Sequence, residues 1–147
     1  MKNEIILVGG GGHCKSVIDV IELEGRFKIF GIIDKSSSIG SSILGYPVIG
    51  NDSDLPNLKG RFKYALVTIG QIKSPALRIK LFNLLYELKF TLPNIISPKA
   101  YVSKHASLGK GIVIMHNVII NANSKIGDNC IINSKALIEH DCLVARH

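Results

Sequence analysis

The 147-residue chain has no tryptophan, and its four tyrosines and five phenylalanines all fall at or before Tyr101. Aromatic rings dominate the packing of ordinary cores. Their absence from the last third excludes an aromatic-filled core there and marks a change of architecture near residue 94. Cysteine is scarce too. Cys14, Cys130 and Cys142 are odd in number and include no C-x-x-C pair, which excludes a disulfide framework and argues against a metal site. No apolar run approaches the roughly 18 residues that a membrane span needs. The apolar stretch after Met1-Lys2-Asn3-Glu4 breaks at Gly9, too early for a secretory signal. The expectation is a cytoplasmic protein without membrane contact. The net charge is +7, yet no dense basic run interleaves with aromatics, so nucleic acid is not the expected partner. A dispersed positive field suits small anions instead. With 46% apolar residues, the chain can fill a core.

The first part alternates strand and helix signals. Glu4–Val8 reads as a strand, followed by four glycines, Gly9 to Gly12. A helix is predicted over Cys14–Glu24, with Val17, Ile18 and Ile21 on one face and Gly25 as its stop. Lys28–Ile33 reads as a second strand, Ser36–Ser42 as a loop, Val48-Ile49 as a short strand and Tyr64–Ile69 as another. Ser74-Pro75 opens a second helix with Pro at its first position and a stripe of Leu77, Leu81, Leu84, Leu85 and Leu88. This order predicts a small parallel sheet, Rossmann-like in its first unit, over residues 1–94.

The second part, 95–147, is a repeat. Every sixth residue from Ile96 is aliphatic: Ile96, Val102, Leu108, Ile114, Ile120, Ile126, Ile132, Ile138 and Val144. Four residues further on stand small or β-branched residues such as Ala100, Ala106, Val118, Ser124 and Cys130. A period of six fits neither a helix nor an alternating strand. It fits a short strand, a corner and a return to the same face. Three such units close a triangular coil, and the coils stack as a parallel β-helix in which each buries its face only on its neighbours.

Two places could carry chemistry. The glycine run at a strand-to-helix turn lets backbone approach a phosphate at a helix N-terminus. The dinucleotide fingerprint G-x-G-x-x-G fails at Cys14, and the repeat offers no substrate domain for an NAD-dependent oxidoreductase. Asp34, at the end of the second strand, could hold a ribose or base. A tight turn with a solvated loop acid is the competing reading. The second place is Glu139-His140-Asp141-Cys142. His140 falls at a coil corner beside carboxylates, where an imidazole can act as a general base, and Asn133 could reach it from the neighbouring edge. His105, His116 and His147 read as surface residues.

Taken in order, IILVGGGGHCKSVIDVIE, GIIDKS, YPVIG, ALVTIG and the hexad run from Asn94 to the EHDC motif resemble the NeuD sialic acid O-acetyltransferase family, which includes the bacillosamine-pathway acetyltransferase PglD. The resemblance implies an N-terminal Rossmann-like domain that binds the sugar, followed by a left-handed β-helix of hexapeptide repeats. It implies a homotrimer with acetyl-CoA as co-substrate, held between subunits, and a nucleotide sugar or sialic acid as acceptor in surface-glycan biosynthesis. It makes His140 the general base, Asp141 the acid that raises its basicity and Asn133 a contact at the same site. It places Gly11, Gly12, His13, Asp34, Lys35 and Gly70 in the nucleotide-sugar pocket. Family members continue for several more coils, which supply most CoA contacts, whereas this chain closes on Val144-Ala145-Arg146-His147. The expectation is a shortened chain, and the alternative function is an inactive nucleotide-sugar-binding remnant.

Overall fold

A computed structural model describes residues 2–147. The first half is a five-stranded sheet in the order β3-β4-β2-β1-β5, with β1 at Asn3–Val8, β2 at Phe27–Ile33, β3 at Ser42–Ile43, β4 at Tyr46–Gly50 and β5 at Tyr64–Val67. All neighbours are parallel except β3, which pairs antiparallel with β4. β1 is buried from Ile5 to Val8, which explains its unbroken apolar run: a parallel strand is covered on both faces. Helix α1 spans Gly12–Glu24, two residues earlier than the sequence pattern suggests, because Gly11 takes the cap position. It ends at Gly25 in the left-handed conformation (φ 71°), where the Gly25 N–H donates to Ile21 O. A short helix α2 covers Leu55–Lys59.

Helix α3 spans Ala76–Glu87, with Pro75 at the cap rather than inside, and the Ser74 hydroxyl accepts from the Ala76 N–H at 3.2 Å. Its buried face is Arg78, Leu81, Phe82 and Leu85. The leucine stripe expected from the sequence is therefore rotated: Leu77 is half exposed, and the arginine beside it is fully buried.

The second half carries nine two-residue strands, β6 to β14, from Ile95–Ile96 to Leu143–Val144. They form three parallel sheets, β6-β9-β12, β7-β10-β13 and β8-β11-β14. Register partners such as Ile95 and Val113 stand eighteen residues apart, so three hexads make one coil. The second residue of each strand is the aliphatic of the six-residue series and points inward, as alternation along a strand requires. Ile114, Ile120, Ile126 and Ile132 are buried in the middle of the stack. The corners turn through left-handed residues, among them Asn117, Asn123, Asn129 and Asp141 (φ 57–61°). Asn and Asp tolerate that conformation better than other side chains. At Gly127 an added Cβ would meet the Arg146 backbone N at 2.5 Å, so coil stacking itself demands glycine there.

The halves share one core. Buried α1 residues and the interior of the coils belong to a single apolar cluster, and α1 lies on β6. The outward residue Ile95 is 0% exposed for this reason, and Val113, its register partner in the same cluster, is 0% exposed too. His116 is not plain surface: its Nε2 pairs with Asp19 of α1 at 2.8 Å, and its Nδ1 with the buried Ser97 hydroxyl at 2.7 Å. Because the core is continuous, Ile114→Ala should lower stability by about 2–5 kcal/mol in one cooperative transition. Urea unfolding followed by far-UV dichroism checks this; two separate transitions would contradict a shared core.

Candidate functional site

The glycine run divides into two roles. Gly9 has φ +108°, and a Cβ there would lie 2.2 Å from Ile69 Cγ1. A Cβ on Gly10 would lie 2.8 Å from Asp34 Oδ2. Packing alone requires these two glycines. Gly11 and Gly12 meet nothing within 4 Å, and no side chain caps α1. The first N–H groups of that helix therefore open onto the adjoining space, where an anion is favoured.

That space is a cavity of about 970 Å³. It lies beyond the carboxyl ends of β1 and β5, where the strand order reverses, which is where open α/β sheets hold ligands. One wall is the glycine turn with His13, Asp34 and Lys35; a second is the segment 69–74; the third is the β-helix, through 130–133, Val144, Ala145 and His147. Gly11, Gly12, His13, Asp34, Lys35 and Gly70 all line it, and Asn133 lies on the facing wall. A second cavity of about 530 Å³ shares Gly9, Asp34, Lys35 and Ile69 with the first and reaches Asn51, Asp52 and Ser53. Among the described residues no group of three His, Cys, Asp or Glu could hold a metal.

Burial, with the nearby Arg78 charge as a smaller cause, holds the His13 imidazole down at about 4. His13 is therefore neutral at ordinary pH, and its buried Nε2 has no partner among the described residues. Arg78 was not expected from the sequence. It is 0% exposed, and its side chain donates from Nε to Asn129 O at 3.0 Å and from one terminal nitrogen to Val67 O at 3.0 Å and Ile69 O at 2.8 Å. Burial lowers its pKa to about 10, which leaves it cationic. The available signal was spacing: residues 78, 81, 82 and 85 form one helical stripe, with the arginine in its first place.

His140 and Asp141 form a separate group. The His140 Nδ1–H donates to Asp141 Oδ2 at 2.6 Å. Asn123 of the coil below donates to Asp141 Oδ1 at 2.5 Å, and the Asp141 N–H donates to Ala122 O. Hydrogen bonding to Asp141, then its charge, raises the His140 pKa. Bonds from Asn123 and His140 lower that of Asp141. Both side chains are well exposed, and neither lines the 970 Å³ cavity. The topology explains why. The cavity adjoins the sheet β6-β9-β12, whereas His140 turns the corner between β13 and β14, the vertex opposite that sheet. No hydrogen bond joins Asn133 to His140; Asn133 follows β12 and stays with the cavity. On the sheet leading to the His140 corner, Tyr101, Ile119 and Leu137 stand in register as an outward apolar column, 59%, 43% and 57% exposed.

Residues 4–85 match the PglD N-terminal domain, and residues 105–140 match the bacterial transferase hexapeptide (six repeats). The chain is similar to a perosamine N-acetyltransferase from Caulobacter crescentus, solved with one histidine changed to asparagine and in complex with CoA and GDP-perosamine. Identity is 37% and the TM-score 0.89, over 97% of this chain and 66% of that one. It is also similar to the acetyltransferase domain of PglB from Neisseria gonorrhoeae, at 30% identity and TM-score 0.87, over 99% of this chain and 69% of that one. That domain has also been solved with acetyl coenzyme A. An uncharacterized protein of Acanthamoeba polyphaga mimivirus is 30% identical over 124 residues, which are 84% of this chain and 24% of that protein. The chain thus spans about two thirds of the solved relatives and a quarter of the viral one. No helix among the described residues is long and apolar enough to cross a membrane. With its sheet, its left-handed hexapeptide coil and these matches, the chain belongs to the sugar acetyltransferase family that joins a PglD N-terminal domain to hexapeptide repeats.

Proposed function

We propose that this chain transfers the acetyl group of acetyl-CoA to an amino or hydroxyl group of a nucleotide-linked sugar, in the cytoplasm and in the service of surface-glycan assembly. The observation that carries the reading is the exposed His140–Asp141 pair on a hexapeptide coil whose opposite side walls a cavity with a glycine turn. The Caulobacter relative, bound to CoA and GDP-perosamine, supports a nucleotide sugar as the ligand of that cavity. A UDP-linked amino sugar and sialic acid are compatible acceptors too.

Acetyl-CoA, when bound, supplies the thioester that is attacked. The His140 corner fits a base for that reaction. Its Nδ1–H is held by Asp141, so the lone pair sits on Nε2, which no described residue engages. Nε2 takes the proton of the acceptor's amine or hydroxyl as the new C–N or C–O bond forms, and the imidazolium returns a proton to the departing CoA sulfur as the thioester C–S bond breaks. Asp141 orients the ring and stabilises the imidazolium. In the cavity, the open N–H groups after Gly11 and the Lys35 ammonium suit a diphosphate, while Asp34 and Gly70 bound the adjoining space.

The base and the cavity lie on opposite sides of one coil, so the reading requires the corner of another copy at each cavity. The apolar column of Tyr101, Ile119 and Leu137 supports a homotrimer.

His140→Ala should lower kcat by about 10²–10⁴-fold and leave nucleotide-sugar affinity unchanged, as measured by CoA release and by calorimetry. Equal rates would discard His140 as the base. Asp141 raises the His140 pKa, and the base works only when deprotonated, so activity falls as pH drops through that raised value. Asp141→Asn removes the cause, and the acid limb of the kcat/KM profile should move to lower pH. A limb that stays in place would separate Asp141 from the base. Saturable binding of UDP- or GDP-sugars with none of acetyl-CoA would favour an inactive binding module instead.

A further inference from the structure

We infer that Arg78 is a positioning residue that sets the spacing between the two halves' walls of the nucleotide-sugar cavity. The proposal rests on the reading of that cavity given above. Arg78 does not line the cavity, yet each of its bonds ends on a segment that does or that leads into one. Val67 O and Ile69 O stand where β5 runs into the Gly70 wall. Asn129 O stands at the corner that leads into the Cys130–Asn133 wall. One planar guanidinium therefore ties the end of the sheet to the third wall, across 51 residues of sequence. A guanidinium can do this because its donors diverge in a rigid fork, whereas an ammonium offers a single point.

The same group reaches the glycine-turn wall through His13. A Cβ on Gly70 would lie 3.3 Å from His13 Cβ, so the wall that Arg78 holds rests directly on His13. The Arg78 charge also acts on the His13 ring, in the direction that keeps it neutral. A stripe that needed only apolar filling would be served by leucine at position 78, as at 81 and 85. A buried cation with three carbonyl partners is costly to desolvate, and its bonds go to Ile69 on a cavity wall and to Val67 and Asn129 beside the walls rather than to its own helix.

The test compares Arg78→Lys and Arg78→Ala with the unaltered chain, using GDP and UDP as probes in calorimetry and thermal unfolding as a separate readout. Misplacing a wall should weaken the Kd by about tenfold or more in Arg78→Ala, and added guanidinium ion at millimolar concentration should restore part of the affinity. Arg78→Lys keeps the charge and the fold but cannot span both walls, so its Kd should also weaken, even if Arg78→Ala fails to fold. A merely structural role would lower the melting temperature and leave Kd alone. A Kd within roughly twofold of the unaltered chain in folded Arg78→Lys overturns the proposal. If the unaltered chain binds neither probe, the nucleotide-sugar reading falls, and this proposal with it.

Discussion

A coil built from two-residue strands can bury its inward aliphatics on its own neighbours, but its outward residues need a separate cover. On one of the three sheets that cover is α1. Ile95 and Val113 point away from the coil interior and are still fully buried: α1 lies on the strand of Ile95, and its apolar face and both residues belong to one core. Polar contacts fix the same contact in register: His116 bridges Asp19 and Ser97, and Arg26 donates to Asn94 O beside its pairing with Glu24. The other arrangements follow. With one sheet covered, the cavity can form only where that sheet meets the carboxyl ends of β1 and β5, and the vertex carrying His140 is turned away from it.

Electrostatics in the cavity follow from the same packing. His13, partly buried in the first turn of α1, loses much of its solvent, so it stays neutral beside a cation. Arg78 is buried where the two halves meet, in reach of backbone carbonyls rather than of a carboxylate. Asp34 and Lys35, at the end of β2, keep part of their exposure. The cavity thus offers open N–H groups and one lysine charge to a ligand, while the two residues suited to proton transfer sit elsewhere, in water.

The sequence made the repeat readable because a six-residue period has almost no competing explanation. Ile96 to Val144 all take the expected inward places, and the change near residue 94 coincides with the passage from α3 to β6. Gly11, Gly12, His13, Asp34, Lys35 and Gly70 were readable as a group and do meet at one cavity. Arg78 and His116 were not, for a common reason. Each is a polar residue whose partner lies far along the chain, Asn129 for one and Asp19 for the other; helical spacing marks the face that Arg78 shares, but local pattern carries no trace of that partner. Leu77 differs for the converse reason: leucine spacing predicts it on the buried face, and the true stripe begins one residue later with a charge. The relation of Asn133 to His140 depends on which coil corner each occupies, which a repeat period leaves open.

The central claim is that base and cavity meet only between copies of the chain. Co-expression of two differently tagged variants tests it, one with His140→Ala and one with the cavity filled by Gly11→Phe. Gly11 suits this use because its Cβ would enter open space and its backbone is not left-handed. Each variant alone should be inactive. The mixed oligomer should regain acetyl transfer, since an intact corner from one chain serves an intact cavity from the other. A mixed oligomer that forms and stays inactive would contradict the account.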